Sequence, residues 1–295
     1  MGNELLSGLL VASFGRQYLV ETEDGRLLTC VTYGKKGGAA CGDRLKIRLT
    51  APDQGVIEAI EPRRSLFYRA NEFREKLIAA NVTQVVLVVA AVPSFYEELL
   101  NRCLVATEVA GVKAVIVLNK ADLKEETAPA WETLQLYADL GYPVVRLSAL
   151  GDVAPLRPYL AGETSVLVGQ SGMGKTSLIN ALVPEAGART ADISAKLDSG
   201  RHTTTHARLY HLDADSDLID SPGLQEFGLG HASRSEIEHA FPEFRPFLGQ
   251  CKFNDCRHAS EPGCAILQAV ADGRISRRRY DIFDKIFQPH RVARG

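Results

Sequence analysis

Two short stretches have the residue types and spacing to hold a nucleotide. Gly169-Gln170-Ser171-Gly172-Met173-Gly174-Lys175-Thr176-Ser177 matches G-x-x-x-x-G-K-[ST]. In that pattern the glycines let backbone N–H groups face phosphates, and the helix that follows adds the partial positive charge of its N-terminus. Lys175 then reaches the β and γ phosphates, and the Thr176 hydroxyl is placed to bind magnesium. Upstream, Asn119-Lys120-Ala121-Asp122 matches N-K-x-D, a reader of guanine. Asp122 would accept from both donors on the Watson–Crick edge, which adenine cannot supply, while Asn119 holds the opposite edge and the Lys120 stem covers the ring. Such a pocket rejects the wrong base because buried polar groups would be left unpaired. Ser148 and Ala149, after the next strand, complete the base pocket.

Downstream, Asp220-Ser-Pro-Gly223 follows an apolar run and supplies D-x-x-G, with Asp220 holding magnesium through water and the Gly223 amide sensing the γ phosphate. The segment "GRHTTT" at 200–205 lies between the two phosphate motifs and is expected to hold the switch threonine that closes over magnesium. Thr204 is the choice, with Thr203 and Thr205 as fallbacks. Leu224 follows Gly223 where Ras-like proteins carry a water-orienting glutamine, and Gln225 is one position late. His202 is therefore the candidate to position the attacking water, and His206 reads as a solvated loop residue.

A third cluster lies near the C-terminus. Cys251, Cys256, His258 and Cys264, in "CKFNDCRHASEPGC", offer three thiolates and one imidazole, a closed tetrahedral set suited to structural zinc. Cys30, Cys41 and Cys103 are scattered and read as small core residues.

The elements that must position these groups can be read from pattern. Residues 1–62 are short strands broken by Gly and Asp turns, which predicts a small barrel, best fitted by the five-stranded oligonucleotide-binding (OB) fold. Residues 63–230 alternate β and α, with a strand in "VTQVVLVVAAV", helices near 95–110 and 129–140, and a strand entering the phosphate loop. Runs apolar throughout indicate a parallel sheet covered on both faces. Residues 231–295 are predicted helical around the Cys/His cluster, with basic "GRISRRRY" and "HRVARG" stretches.

In ordinary GTPases N-K-x-D follows the phosphate loop; here it precedes it. Moving the segment that contains "NKAD" to a position after "DSPG" restores the usual order, so the central region is expected to be a circularly permuted GTPase domain. The segment after Asp220 then leads straight into the C-terminal module, so movement at the γ phosphate can pull on that module.

Composition excludes several classes. At 295 residues, 45% hydrophobic and 24% charged, the chain is that of a globular protein of two or three domains. No apolar run approaches a membrane span, and "MGNELLSGLL" lacks the pattern of a signal peptide, so a cytoplasmic chain with reduced cysteines is expected. A net charge of −2 means that any nucleic acid must be met by local basic patches.

The chain resembles the ribosome small subunit-dependent GTPase A family (RsgA, also called YjeQ) over nearly its whole length, through "NKAD", "SAL", "GQSGMGKTS", "GRHTTT", "DSPG" and the Cys/His cluster in that order. The resemblance implies binding to the small ribosomal subunit and its rRNA late in maturation, with hydrolysis of GTP to GDP accompanying release. It also implies one structural zinc, magnesium with GTP, an apolar residue at Leu224, a switch histidine at His202 and a monomer. Thr176 departs mildly from the serine common in the family and keeps the hydroxyl. The rival reading is a GTP-gated RNA-binding scaffold whose hydrolysis is incidental.

Overall fold

The computed structural model describes residues 5–32, 38–70, 75–184, 207–223, 227–230 and 232–292. His202, Thr203, Thr204, Thr205, His206, Leu224 and Gln225 lie outside them.

The first five strands are β1 (Leu6–Phe14), β2 (Gln17–Thr22), β3 (Leu27–Thr32), β4 (Arg44–Ala51) and β5 (Gln54–Ile60). They pair in the order β1-β2-β3-β5-β4, and β4 returns to β1 to close the barrel; β3 and β5 are parallel and the other pairs antiparallel. Leu10, Val20, Leu28, Cys30, Leu45 and Ile47 fill the interior. Gly8 makes room for it: a Cβ there would meet Val20 Cγ1 at 2.6 Å and Ile47 Cδ1 at 2.9 Å.

The hairpin that follows, β6 (Leu66–Ala70) and β7 (Glu75–Ala80), has no counterpart in the sequence reading. It is held by contacts distant in sequence: the Phe67 ring lies 5.7 Å from that of Phe227, and Ala80 N donates to Cys41 O. Beside it, Arg63 Nε and Nη2 donate to the two oxygens of fully buried Asp43, at 2.7 and 2.8 Å.

The barrel strands continue into the rest of one eleven-stranded sheet, formed by β8 (Gln84–Ala90), β9 (Lys113–Asn119), β10 (Val144–Arg146), β11 (Thr164–Val168), β12 (Arg208–His211) and β13 (Asp217–Asp220), in the spatial order β10-β9-β8-β11-β13-β12. All neighbours among these six are parallel except β12 and β13. Buried on both faces, β8 sends Val85, Leu87 and Val89 into one core and Val86, Val88 and Ala90 into the other, as expected for a covered parallel sheet. The strand carrying the phosphate loop, β11, is central although late in sequence, which is the permuted topology. Helices α1 (Glu97–Val109), α2 (Lys124–Asp139), α3 (Arg157–Leu160) and α4 (Lys175–Leu182) connect these strands. Helix α2 starts five residues before the expected 129: Pro129 lies inside it, while Glu125 and Glu126 occupy the first turn, where acidic residues suit the helix dipole.

Barrel and sheet share β1, since Ala12 also pairs with Arg208 of β12. His211 reinforces this join. Its Nδ1 lies 2.7 Å from Asp217 Oδ1 and its Nε2 lies 3.1 Å from Glu21 Oε2, on the far side of β1 in the barrel. The hydrogen bond with Asp217, supported by Glu21 and opposed by partial burial, pushes the His211 pKa up from 6.5 to about 9. A group raised in the folded state stabilises fully below its unfolded pKa, and that contribution is lost as pH rises through the folded value. Thermal stability is expected to fall between pH 6.5 and 9. His211→Gln should flatten that decline, modestly because the side chain is part exposed; melting curves of both proteins across this range measure it, and parallel declines would refute the clamp.

The C-terminal region contains α5 (Arg234–His239), α6 (Ala265–Ala271) and α7 (Arg277–Val292), around a core of Phe241, Phe244, Phe283 and Phe287. It is fixed to α1. Arg279, only 2% exposed, donates to Glu243 at 2.6 Å and to Asn101 Oδ1, and its guanidinium lies 4.6 Å from the centre of the Phe241 ring. Arg278 pairs with Glu97 and Arg245 with Glu108. Two arginines of the basic "RRR" thus serve packing within the chain. Among the described residues no helix is long and apolar enough to cross a membrane.

Candidate nucleotide site and metal centre

The loops after β8, β9, β10, β11 and β13 gather at the C-terminal edge of the sheet, where open α/β sheets bind ligands. Residues 169–174 join β11 to α4, and two glycines there are required by close approach. A Cβ on Gly169 would lie 2.2 Å from Val88 O; one on Gly174, at φ +88°, would lie 2.4 Å from Asn119 Nδ2. Lys175 is buried and its Nζ donates to Gly169 O at 2.6 Å and Gln170 O at 2.9 Å. Burial holds the Lys175 pKa below its ordinary value, against the opposing charge of Asp220. Met173 is buried, whereas Ser171, Gly172, Thr176 and Ser177 are exposed and Gln170 half-buried. The Thr176 hydroxyl, on the first turn of α4, is thus open to a solvated cation.

Asp220, buried at the end of β13, is beside Leu167 of β11. A Cβ on Gly223 would be 3.3 Å from Ser171 N and 3.6 Å from Lys175 Nζ, so D-x-x-G abuts the phosphate loop. Ser221 Oγ anchors this segment by donating to Leu167 O at 2.5 Å.

The base-reading residues are tied to the same loop. Asn119 Nδ2 donates to Met173 O at 2.9 Å, and Ala149 N donates to Asn119 Oδ1 at 2.9 Å. One side chain therefore spans phosphate loop and Ser-Ala loop, and the second hydrogen of its amide nitrogen can face a base. Ala121 N donates to Leu147 O, and Lys120 Nζ donates to Val92 O and Gly172 O, both at 2.7 Å. Ser148 Oγ donates to Asp122 Oδ1 at 2.5 Å.

The sequence reading missed residues 91–96 as part of this site. Tyr96 N donates to Gln170 Oε1 at 2.8 Å, and a Cβ on Gly172 would lie 3.2 Å from Pro93 Cγ. The available signal was positional, because this loop leaves the C-terminal end of a central strand.

The four Cys/His residues converge, with their candidate ligand atoms within 4.8 Å of one another. Cys251 Sγ and Cys264 Sγ are 4.0 Å apart, and His258 Nδ1 lies 3.6 Å from the first and 3.4 Å from the second. Bonds of about 2.3 Å in a tetrahedron put sulfurs roughly 3.8 Å apart, so the donor set fits zinc. Ala265 N donates to Cys251 Sγ and Leu267 N to Cys264 Sγ, which suits thiolates. Burial, with smaller contributions from the neighbouring sulfurs, pushes the Cys256 thiol up to about 12, so ionisation here calls for a compensating cation.

The RsgA GTPase profile matches residues 60–230. The chain belongs to the RsgA GTPase family. It is 58% identical over 281 residues to a protein of Nitrosospira multiformis named small ribosomal subunit biogenesis GTPase RsgA, a match covering 95% of this chain and 90% of that one. A Nitrosomonas europaea protein of the same name is 54% identical, with the same coverage. Among solved structures, YjeQ from Thermotoga maritima covers 99% of this chain and 100% of its own at 30% identity and a TM-score of 0.75. YloQ, described as a circularly permuted GTPase, matches at 26% identity and a TM-score of 0.72, covering 99% and 97%. The permuted GTPase fold with an N-terminal barrel and a C-terminal Cys/His module is therefore that of this RsgA family member, and its reaction is GTP hydrolysis.

Proposed function

We propose that this GTPase binds the small ribosomal subunit through rRNA late in assembly and hydrolyses GTP to GDP and phosphate there. One observation carries the reading: base-reading, phosphate and D-x-x-G residues meet at one sheet edge, and the chain leaving Gly223 enters the module that holds the Cys/His cluster. The relatives' printed name supports the ribosomal partner. In this reading residues 1–62 form an RNA-contacting barrel, 63–230 the GTPase domain and 231–295 a zinc module, in a cytoplasmic monomer. Barrels of this kind recognise RNA through phosphates and stacked bases.

The roles follow from position. Asp122, Asn119, Lys120, Ala121, Ser148 and Ala149 take the guanine; residues 169–177 and Lys175 take the phosphates; Thr176 and Asp220 hold magnesium; and Gly223 reports the γ phosphate. Thr204 and His202 are assigned to magnesium and water from the sequence. Salt-controlled sedimentation with purified subunits tests the partner: GTP-dependent co-sedimentation with small subunits supports it, and equal binding to large ones refutes it. A nucleotide-gated scaffold would bind in the same way with no increase in turnover.

Zinc closes the module. Cys256→Ser is expected to release the metal and loosen 231–295 while GTP affinity changes little, because the nucleotide pocket has a separate core. Metal analysis beside nucleotide titration measures both, and full zinc retention in the variant would overturn the assignment.

A further inference from the structure

The Cys/His cluster has a carboxylate behind it. His258 turns Nδ1 toward the sulfurs of Cys251 and Cys264, which leaves Nε2 on the opposite side of the ring, 3.4 Å from Glu238 Oε1. The pair is enclosed: the side chains are 5% and 13% exposed. Glu238 is itself held, since Arg234 Nε donates to the same Oε1 at 3.0 Å and Arg234 Nη2 donates to the backbone oxygen of Cys256. Tyr280 OH donates to His258 O at 2.7 Å, fixing a backbone that sits at φ +55°.

We propose that Glu238 is a positioning residue for the metal centre, accepting the Nε2–H of His258 so that Nδ1 is the ligand atom. The inference rests on the zinc reading of the cluster. An imidazole can ligate through Nδ1 only when its proton is on Nε2, and a carboxylate at Nε2 selects that tautomer, locks the ring plane and makes the ligand nitrogen more electron-rich. Arg234 and Glu238 both lie on α5, the first helix after Gly223 among the described residues. One ion pair therefore joins that helix to two of the four ligand residues, His258 through its ring and Cys256 through its carbonyl. Helix and metal knuckle are thereby tied together.

Zinc affinity of the full chain, measured by competition with a chromophoric chelator, tests this. Glu238→Met keeps the volume and removes the acceptor; it should weaken zinc binding roughly 10- to 100-fold, the usual effect of losing such a partner. Glu238→Gln retains an acceptor oxygen and should recover most of the loss, a rescue that a purely space-filling role would not produce. Two-bond 1H–15N spectra of the zinc-loaded native chain should show His258 as the Nε2–H tautomer ligated through Nδ1. Ligation through Nε2 would overturn the inference even if Glu238→Met failed to fold, as would an affinity within twofold of native in that variant. A native chain that takes up no zinc would instead remove the reading on which the inference stands.

Discussion

Mature small ribosomal subunits are expected to raise GTP turnover by this chain on the order of a thousandfold over the free protein, while large subunits leave it unchanged. The free chain already has the electrostatic part of the machinery: Lys175 is buried at the phosphate loop and Asp220 is held beside it. The residue after Gly223 is Leu224, which has no group to orient water, and removing such a group leaves a GTPase very slow. Docking of barrel and zinc module that draws residues 200–205 over the γ phosphate would bring His202 to the attacking water and Thr204 to magnesium. His202→Ala should then remove most of the acceleration with little change in GTP affinity. Phosphate release with and without each subunit measures it. Equal turnover under all conditions would overturn stimulation by the subunit and leave the nucleotide-gated scaffold, whereas full stimulation of the His202 variant would overturn only the histidine's role.

The nucleotide site was legible because its parts are short and spaced by chemistry. A loop that wraps phosphates needs Gly169 and Gly174 where a Cβ would collide with Val88 O or Asn119, and those needs leave a mark in the sequence. The barrel's strands were equally readable from turns and length. The barrel itself was predicted, but not which strands pair to close it, since the parallel pairing of β3 with β5 and the return of β4 to β1 are long-range events without a local signature. The β6-β7 hairpin went unread for the same reason. Its stretch carries helix-forming charged residues, and distant partners, Phe227 and Cys41, fix it as strand.

Charged residues gave the least reliable signal. "RRR" reads as a basic surface, yet Arg279 is buried against Phe241 and Glu243, and Arg278 is paired with Glu97. Glu238 and His211 show the same limit, because each acquires its role from a partner that no spacing rule connects to it. Side chains whose chemistry is marked by their own neighbours in sequence could be singled out, and those that meet a partner from another segment could not.

Asp122→Asn is expected to reverse the base preference from GTP to xanthosine triphosphate, a change on the order of ten thousandfold in the ratio of affinities. Guanine presents two donors, N1–H and the exocyclic amine, and a carboxylate accepts both. Xanthine keeps N1–H but has a carbonyl in place of the amine, so it needs one acceptor and one donor, which an asparagine amide supplies. The substitution also costs guanine directly, because the new NH2 faces the guanine amine and two donors are left unpaired in the pocket. The frame around position 122 should survive: Asn119 remains tied to Met173 and Ala149, Lys120 to Gly172, and Ser148 can donate to the amide oxygen as it does to the carboxylate. The phosphates keep all their partners, so the variant should bind xanthosine triphosphate about as tightly as the native chain binds GTP. Displacement of a fluorescent guanine nucleotide from the native chain, and of its xanthine counterpart from the variant, by each triphosphate gives the two ratios. A variant that keeps its full preference for guanine would show that the base is read by residues other than Asp122.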